Sequence, residues 1–123
     1  MLKLFIITEQ LPLQGYLFWS EKMKEIYAIG PSQNVLLFQS IGITSYIINN
    51  EQQLREKIES LASTAKIIFI SEALNPLIND LARKYQQQIY PILLFIPLEG
   101  EDSGMGIEKL KREVEKAIGM AII

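Results

Sequence analysis

From Ile26 onward the chain alternates between two rhythms. Short, solid apolar runs give way to longer stretches with an apolar residue every third or fourth position. Ile26–Ile29 is the first short run, closed by Gly30-Pro31. Asn34–Ile41 then places Val35, Leu37, Phe38 and Ile41 at helical spacing. Gly42 ends that helix, because glycine enters the left-handed backbone region at no steric cost. Ser45–Ile48 reads as a second strand. Asn49-Asn50 caps the next helix, with Gln53 three residues after Asn50. That helix runs over Glu51–Ser63, with Leu54, Ile58, Leu61 and Ala65 toward one face. Lys66–Ser71 and Pro91–Pro97 are a third and a fourth strand, apolar at every central position, as strands buried on both faces of a parallel sheet are. Between them Asn75-Pro76 opens a helix carrying Leu77, Ile78, Leu81, Ala82 and Tyr85. Strand and helix alternate and end on a strand. This predicts an α/β fold, a four-stranded parallel sheet with right-handed crossovers and helices on both faces, in three layers.

The two ends break this rhythm. Residues 1–24 read as an N-terminal extension, with Leu2–Thr8 strand-like and Gln10–Ser20 mixing Pro12, Gly15, Tyr16, Phe18 and Trp19 without a period. Met23 stands where a strand-first domain opens, so residues 1–22 are either a translated upstream segment or an added arm. Residues 25–98 form the α/β domain, and 99–106 a flexible acidic, glycine-rich loop with Glu99, Glu101, Asp102, Gly100, Gly104 and Gly106. Residues 107–123 form a C-terminal helical segment. Its apolar stripe is Ile107, Leu110, Val114, Ala117 and Ile118. Its charged side is Glu108, Lys109, Lys111, Arg112, Glu113, Glu115 and Lys116. Glu108–Arg112 and Lys109–Glu113 stand at i,i+4 spacing, where opposite charges support a helix.

Composition narrows the chemistry. A chain of 123 residues suits one domain. A net charge of −2 offers no basic footprint for nucleic acid. With no cysteine and no histidine, the chain lacks a disulfide framework, thiolate metal sites, the commonest general base and the commonest zinc ligand. No apolar run approaches the ~20 residues of a membrane helix, and Leu2–Ile7 is short of a secretory signal core. The expectation is a cytoplasmic protein with no direct membrane insertion.

Doubly wound sheets bind ligands at the carboxyl ends of their strands. After the first strand, Gly30-Pro31-Ser32-Gln33-Asn34 lacks both the dinucleotide glycine spacing and the phosphate-loop lysine. Phosphoryl receivers share this strand–helix order. They need an acidic cluster after the first strand and an aspartate after the third, where this chain has Ser71-Glu72. Glu72 reads as a first-turn helix acid. Ser32 and Ser71 have no histidine to activate them, and Tyr90 reads as a packing residue. No catalytic, cofactor or metal site is assigned, and the chain is expected to bind other proteins. The terminal helix is the candidate surface, because its apolar stripe fits a helical partner. The competing local reading packs Ile107, Leu110 and Val114 back on the sheet. The competing functional reading is a stand-alone receiver-like binding module without a phosphorylation site.

Three stretches carry a family resemblance. Ile26-Tyr27-Ala28-Ile29-Gly30 with Val35-Leu36-Leu37-Phe38-Gln39-Ser40-Ile41-Gly42-Ile43 is one, and Ile67-Ile68-Phe69-Ile70-Ser71-Glu72 is another. The third is Tyr90-Pro91-Ile92-Leu93-Leu94-Phe95-Ile96-Pro97, an acidic loop, and Val114-Glu115-Lys116-Ala117-Ile118-Gly119. In this order they resemble the F subunit of the V-type (A/V-type) rotary ATPases over Glu25–Ile123. Leu37 and Gln39 depart from the family's frequent Gly and Arg, so a basic contact there is not carried over. The first 24 residues have no counterpart in the pattern.

The resemblance implies a non-catalytic central-stalk subunit of a V-type ATP synthase, without a nucleotide site or cofactor. It implies partnership with the D subunit, the coiled-coil shaft of the V-type ATPase, and with other stalk and catalytic-ring subunits. It also implies a place peripheral to the membrane, coupling ATP hydrolysis or synthesis to the transport of an ion, H⁺ or Na⁺. In some members the C-terminal segment moves and tunes ATP hydrolysis. On this reading Ile107, Leu110, Arg112, Val114 and Ile118 are the partner-binding residues. Because a rotor part transmits torque, the contact is expected to bury about 1,000 Å² or more.

Overall fold

The computed structural model describes residues 24–99 and 106–121. Residues 1–23 of the N-terminal extension, residues 100–105 of the acidic loop and residues 122–123 lie outside the described residues. Strands β1 (Ile26–Gly30), β2 (Thr44–Ile47), β3 (Ile67–Ser71) and β4 (Ile92–Ile96) form one sheet in the order β2-β1-β3-β4. All three pairings are parallel, with Gly30 opposite Ile47, Ile29 opposite Ile70 and Phe69 opposite Leu94. The α/β architecture expected from the sequence is therefore present, with helices on both faces and a helix at the C-terminal end.

Side chains of a strand point alternately to opposite faces. Ile26, Ala28, Ile67 and Phe69 point into one core, and Ile29, Ile68 and Ile70 into the other. Helix α1 (Glu51–Leu61) covers the second face with Leu54, Ile58 and Leu61. Leu74 of a short 3₁₀ helix, η2 (Glu72–Leu77), packs on the same face, as do Leu81 and Tyr85 of α2 (Asn79–Gln86). The first face is covered by the 3₁₀ helix η1 (Gln33–Ile41) and by α3 (Ile107–Ala121).

Three expectations change in detail. The segment after β1 is a 3₁₀ helix, not an α-helix. Its buried residues Val35, Phe38 and Ile41 recur at every third position, which a helix of three residues per turn aligns on one side. Gly42 ends it at φ 90°, the left-handed cap that the sequence calls for. The Asn75-Pro76 pair does not open an α-helix. Pro76 sits inside η2, and Ser71 caps that turn by accepting from the Ala73 N–H. Strand β4, expected to be buried on both faces, stands at an edge of the sheet formed by the described residues. Its neighbour on one side is β3, and Ile92, Leu93, Leu94 and Phe95 are half-buried. A solid apolar run reports burial only where both edges of the strand are paired, as in β3, which is buried at every position.

Local chemistry fixes the elements. Asn50 Oδ1 accepts from the Gln53 N–H at 3.0 Å, capping α1 as expected. A Cβ on Gly30 would stand 2.8 Å from the Cβ of Val35, so η1 can leave the sheet this tightly only past a glycine. On the opposite face, Arg55 of α1 holds Asp80 of α2 bidentately, at 2.8 Å and 2.7 Å, and donates to the Leu77 carbonyl at 2.8 Å. The hydrogen bonds from Arg55 hold the Asp80 carboxyl at about 2, below the ordinary 3.8.

A carboxyl depressed in the folded state stabilises above its unfolded value and loses that contribution as pH falls through the folded one. The stability gap between the wild-type chain and Asp80→Asn is therefore expected to be constant above about pH 4 and to close as pH falls toward about 2. Urea titrations at several pH values read this gap. A gap that persists unchanged at the acid end would show that the carboxylate is not its source.

Candidate interaction surface

At the carboxyl ends of the strands, where a doubly wound sheet offers a crevice, the turn after β1 is bonded to the segment leaving β4. Ser32 follows β1, and its hydroxyl accepts from the Asn34 N–H at 3.2 Å. The same hydroxyl donates to the Glu99 carboxylate, at 2.8 Å and 3.0 Å to its two oxygens. Asn34 Nδ2 donates to the Leu98 carbonyl at 2.8 Å. These bonds tie the turn before η1 to the segment leaving β4. Ser71 is fully buried and spent as a cap, and Glu72 is exposed in the first turn of η2. Tyr90 lies near the opposite end of the sheet, just before β4, with Lys66 Nζ 5.3 Å from its ring centroid. Among the described residues, no group of three or more histidine, cysteine, aspartate or glutamate side chains converges to hold a metal ion.

The other candidate is α3. Its sequence is amphipathic, and the fold uses that pattern to cover η1 and the sheet. Of the five residues singled out in the sequence, Leu110, Val114 and Ile118 are buried in the core shared with Phe38 and Phe69. Ile107 is half-buried against the same core, and Arg112 is exposed. The structure thus brings four of the five onto one face, which here rests on the chain's own sheet. Those four meet a partner only when α3 turns that face outward; Arg112 is accessible as α3 stands.

Lys111 corrects the sequence reading. Assigned to the charged side of the helix, it is instead 2% exposed, and its ion pair is with Glu108 at 3.6 Å. Lys111 stands at the border of the stripe, and a wide apolar contact takes its stem down with it. Periodicity alone places Lys111 on either side of that border, so no sequence signal separates the two.

A second apolar surface was also missed. Ile89 is 80% exposed beside a groove of about 300 Å³ lined by Tyr85, Pro91, Ile92, Leu93 and Phe95. The solid apolar run Ile92–Ile96 gave no sign of it, because strand order is decided by the crossovers and not by the strand's own residues.

These features define a small α/β protein with hydrogen bonds tying the carboxyl ends of β1 and β4 together and an amphipathic terminal helix resting on its sheet. Comparison with known proteins agrees in extent and kind. The sequence model of the ATP synthase (F/14-kDa) subunit family matches residues 26–116, starting at the first residue of β1. The V-type ATP synthase F subunit of Fusobacterium nucleatum is 31% identical over 102 residues, 82% of this chain and 97% of the relative. The V-type ATP synthase F subunit of Clostridium perfringens is 29% identical over 101 residues, 81% of this chain and 96% of the relative. That of Clostridium botulinum (strain Eklund 17B) is 24% identical over 101 residues, 81% and 98% of the two chains. The chain belongs to the ATP synthase (F/14-kDa) subunit family and is part of an ATPase complex of the V-type ATP synthase kind.

Proposed function

We propose that the chain is the non-catalytic central-stalk subunit of that complex, binding its D subunit, the coiled-coil shaft, and coupling ATP turnover to ion transport. The observation that carries this reading is α3, an amphipathic helix whose apolar stripe is long enough for a helical partner and which follows β4 in the chain. The body of 25–98 holds the subunit's shape, and 107–123 carries the partner contact through Ile107, Leu110, Arg112, Val114 and Ile118. Arg112 contacts the partner while α3 is docked, and the apolar four do so when the stripe turns outward. Movement of α3 between these positions would tune ATP hydrolysis by the complex.

The sheet alone would equally suit a stand-alone receiver-like module, but membership of an ATPase-subunit family favours the stalk. Among the described residues no helix is long and apolar enough to cross a membrane.

The isolated chain is expected to hydrolyse no ATP, while omitting it from the reassembled complex changes the rate of the whole. Phosphate release by the purified chain above a blank, or a complex indifferent to its omission, would overturn this reading.

A further inference from the structure

Lys111 is the exception on the inner side of α3. Its side chain is 2% exposed, and its Nζ has no hydrogen-bond acceptor among the described residues. The ion pair with Glu108 is 3.6 Å long, beyond hydrogen-bonding range, and the Glu108 side chain is 70% exposed, so its carboxylate stays largely hydrated. A buried ammonium with its donors unused is costly, and such groups ordinarily find a carboxylate or a carbonyl. The described part of the fold does not supply one at hydrogen-bonding distance.

Where Lys111 stands on the helix gives the lack a meaning. It follows Ile107 by four residues and precedes Val114 by three, so it borders the apolar stripe of Ile107, Val114 and Ile118. When two helices pack along an apolar seam, the positions bordering the seam carry the interhelical ion pairs that choose the partner and its register.

We propose that Lys111 is the specificity contact of α3 for a helical partner that carries an aspartate or glutamate beside its own apolar seam. When α3 turns this face outward the stripe supplies the apolar contact, and Lys111 selects a seam with an acidic border over one that is neutral or basic. This inference rests on the stalk-subunit reading, since a coiled-coil shaft is a partner of this kind.

The test uses the full chain and the co-expressed coiled-coil shaft subunit. Lys111→Met keeps the length of the side chain and removes its charge. The thermal midpoint of the isolated variant is expected to equal or exceed that of the wild type, because an unsatisfied charge is lost. Its dissociation constant for the shaft is expected to rise by at least about tenfold. Lys111→Arg, which keeps a cation, is expected to bind more tightly than Lys111→Met, an ordering that a purely structural role would not produce.

A Lys111→Met chain that binds as the wild type does refutes this inference and leaves the stalk reading standing. A chain that melts lower and binds weaker also refutes it, because the charge is then satisfied within the fold. If the wild-type chain forms no complex, the stalk reading falls and takes this inference with it.

Discussion

Leu110→Asp combined with Val114→Asp is expected to detach α3 from the sheet and to weaken binding to the coiled-coil partner by about a hundredfold or more. Both side chains are buried, at 0% and 1% exposure, in the core that contains Phe38 and Phe69. Each replacement forfeits about 1.5–3 kcal/mol of apolar burial. It also asks a carboxylate to enter an apolar layer, a cost that adds to the first. The helix relieves both costs by leaving the sheet, since it is the last described element and no later strand depends on it. Hydrogen exchange should then show α3 amides unprotected while those of β1, β3 and α1 remain slow. The two Asp side chains also interrupt the stripe offered to the partner, so detachment does not rescue binding. Slow exchange in α3 together with wild-type affinity would show that these positions matter to neither surface.

Phe38→Ala is expected to cost about 3–5 kcal/mol, the usual range for a fully buried aromatic residue. Phe38 has no exposed surface, and its ring lies 5.1 Å from that of Phe69 on β3, tilted by 37°. It joins η1, the central sheet and α3 in one cluster. A nine-residue 3₁₀ helix has poorer hydrogen-bond geometry than an α-helix, so η1 relies on this packing. Against a total stability of about 5–15 kcal/mol for a domain, the loss brings the chain near its folding threshold. Urea titration reads it directly. A loss below about 1 kcal/mol would show that the first face is not held by this cluster.

The sequence was most legible where one physical cause acted alone. The alternation of apolar runs and spaced apolar residues follows from burial, so the parallel sheet and its covering helices could be read from Ile26 to Ile96. Caps were legible for the same reason: Asn50 and Gly42 act within a few residues of themselves. What failed to show depended on distant partners. Arg55 and Asp80 meet across 25 positions, and Ser32 and Glu99 across 67. Nothing local distinguishes such pairs from solvated surface charges. The apolar run of β4 concealed its place at the sheet edge, since strand order is decided by crossovers and not by the strand's own residues. Lys111 shows the limit of periodicity on a helix, because a residue at the border of a stripe is assigned by the width of the contact it meets.

The candidate surface was legible in kind and less so in state. The amphipathic pattern of 107–121 marked a helix with one apolar side. That pattern is the same whether the side rests on its own sheet or on another chain, and in this structure it rests on the sheet.

The measurement that tests the central claim most directly is size-exclusion chromatography with mass detection on the chain co-expressed with its candidate coiled-coil shaft. The account predicts one peak whose mass is the sum of one copy of each, stable on dilution. A folded chain eluting alone at its own 14.1 kDa, with the shaft elsewhere in the profile, would contradict it.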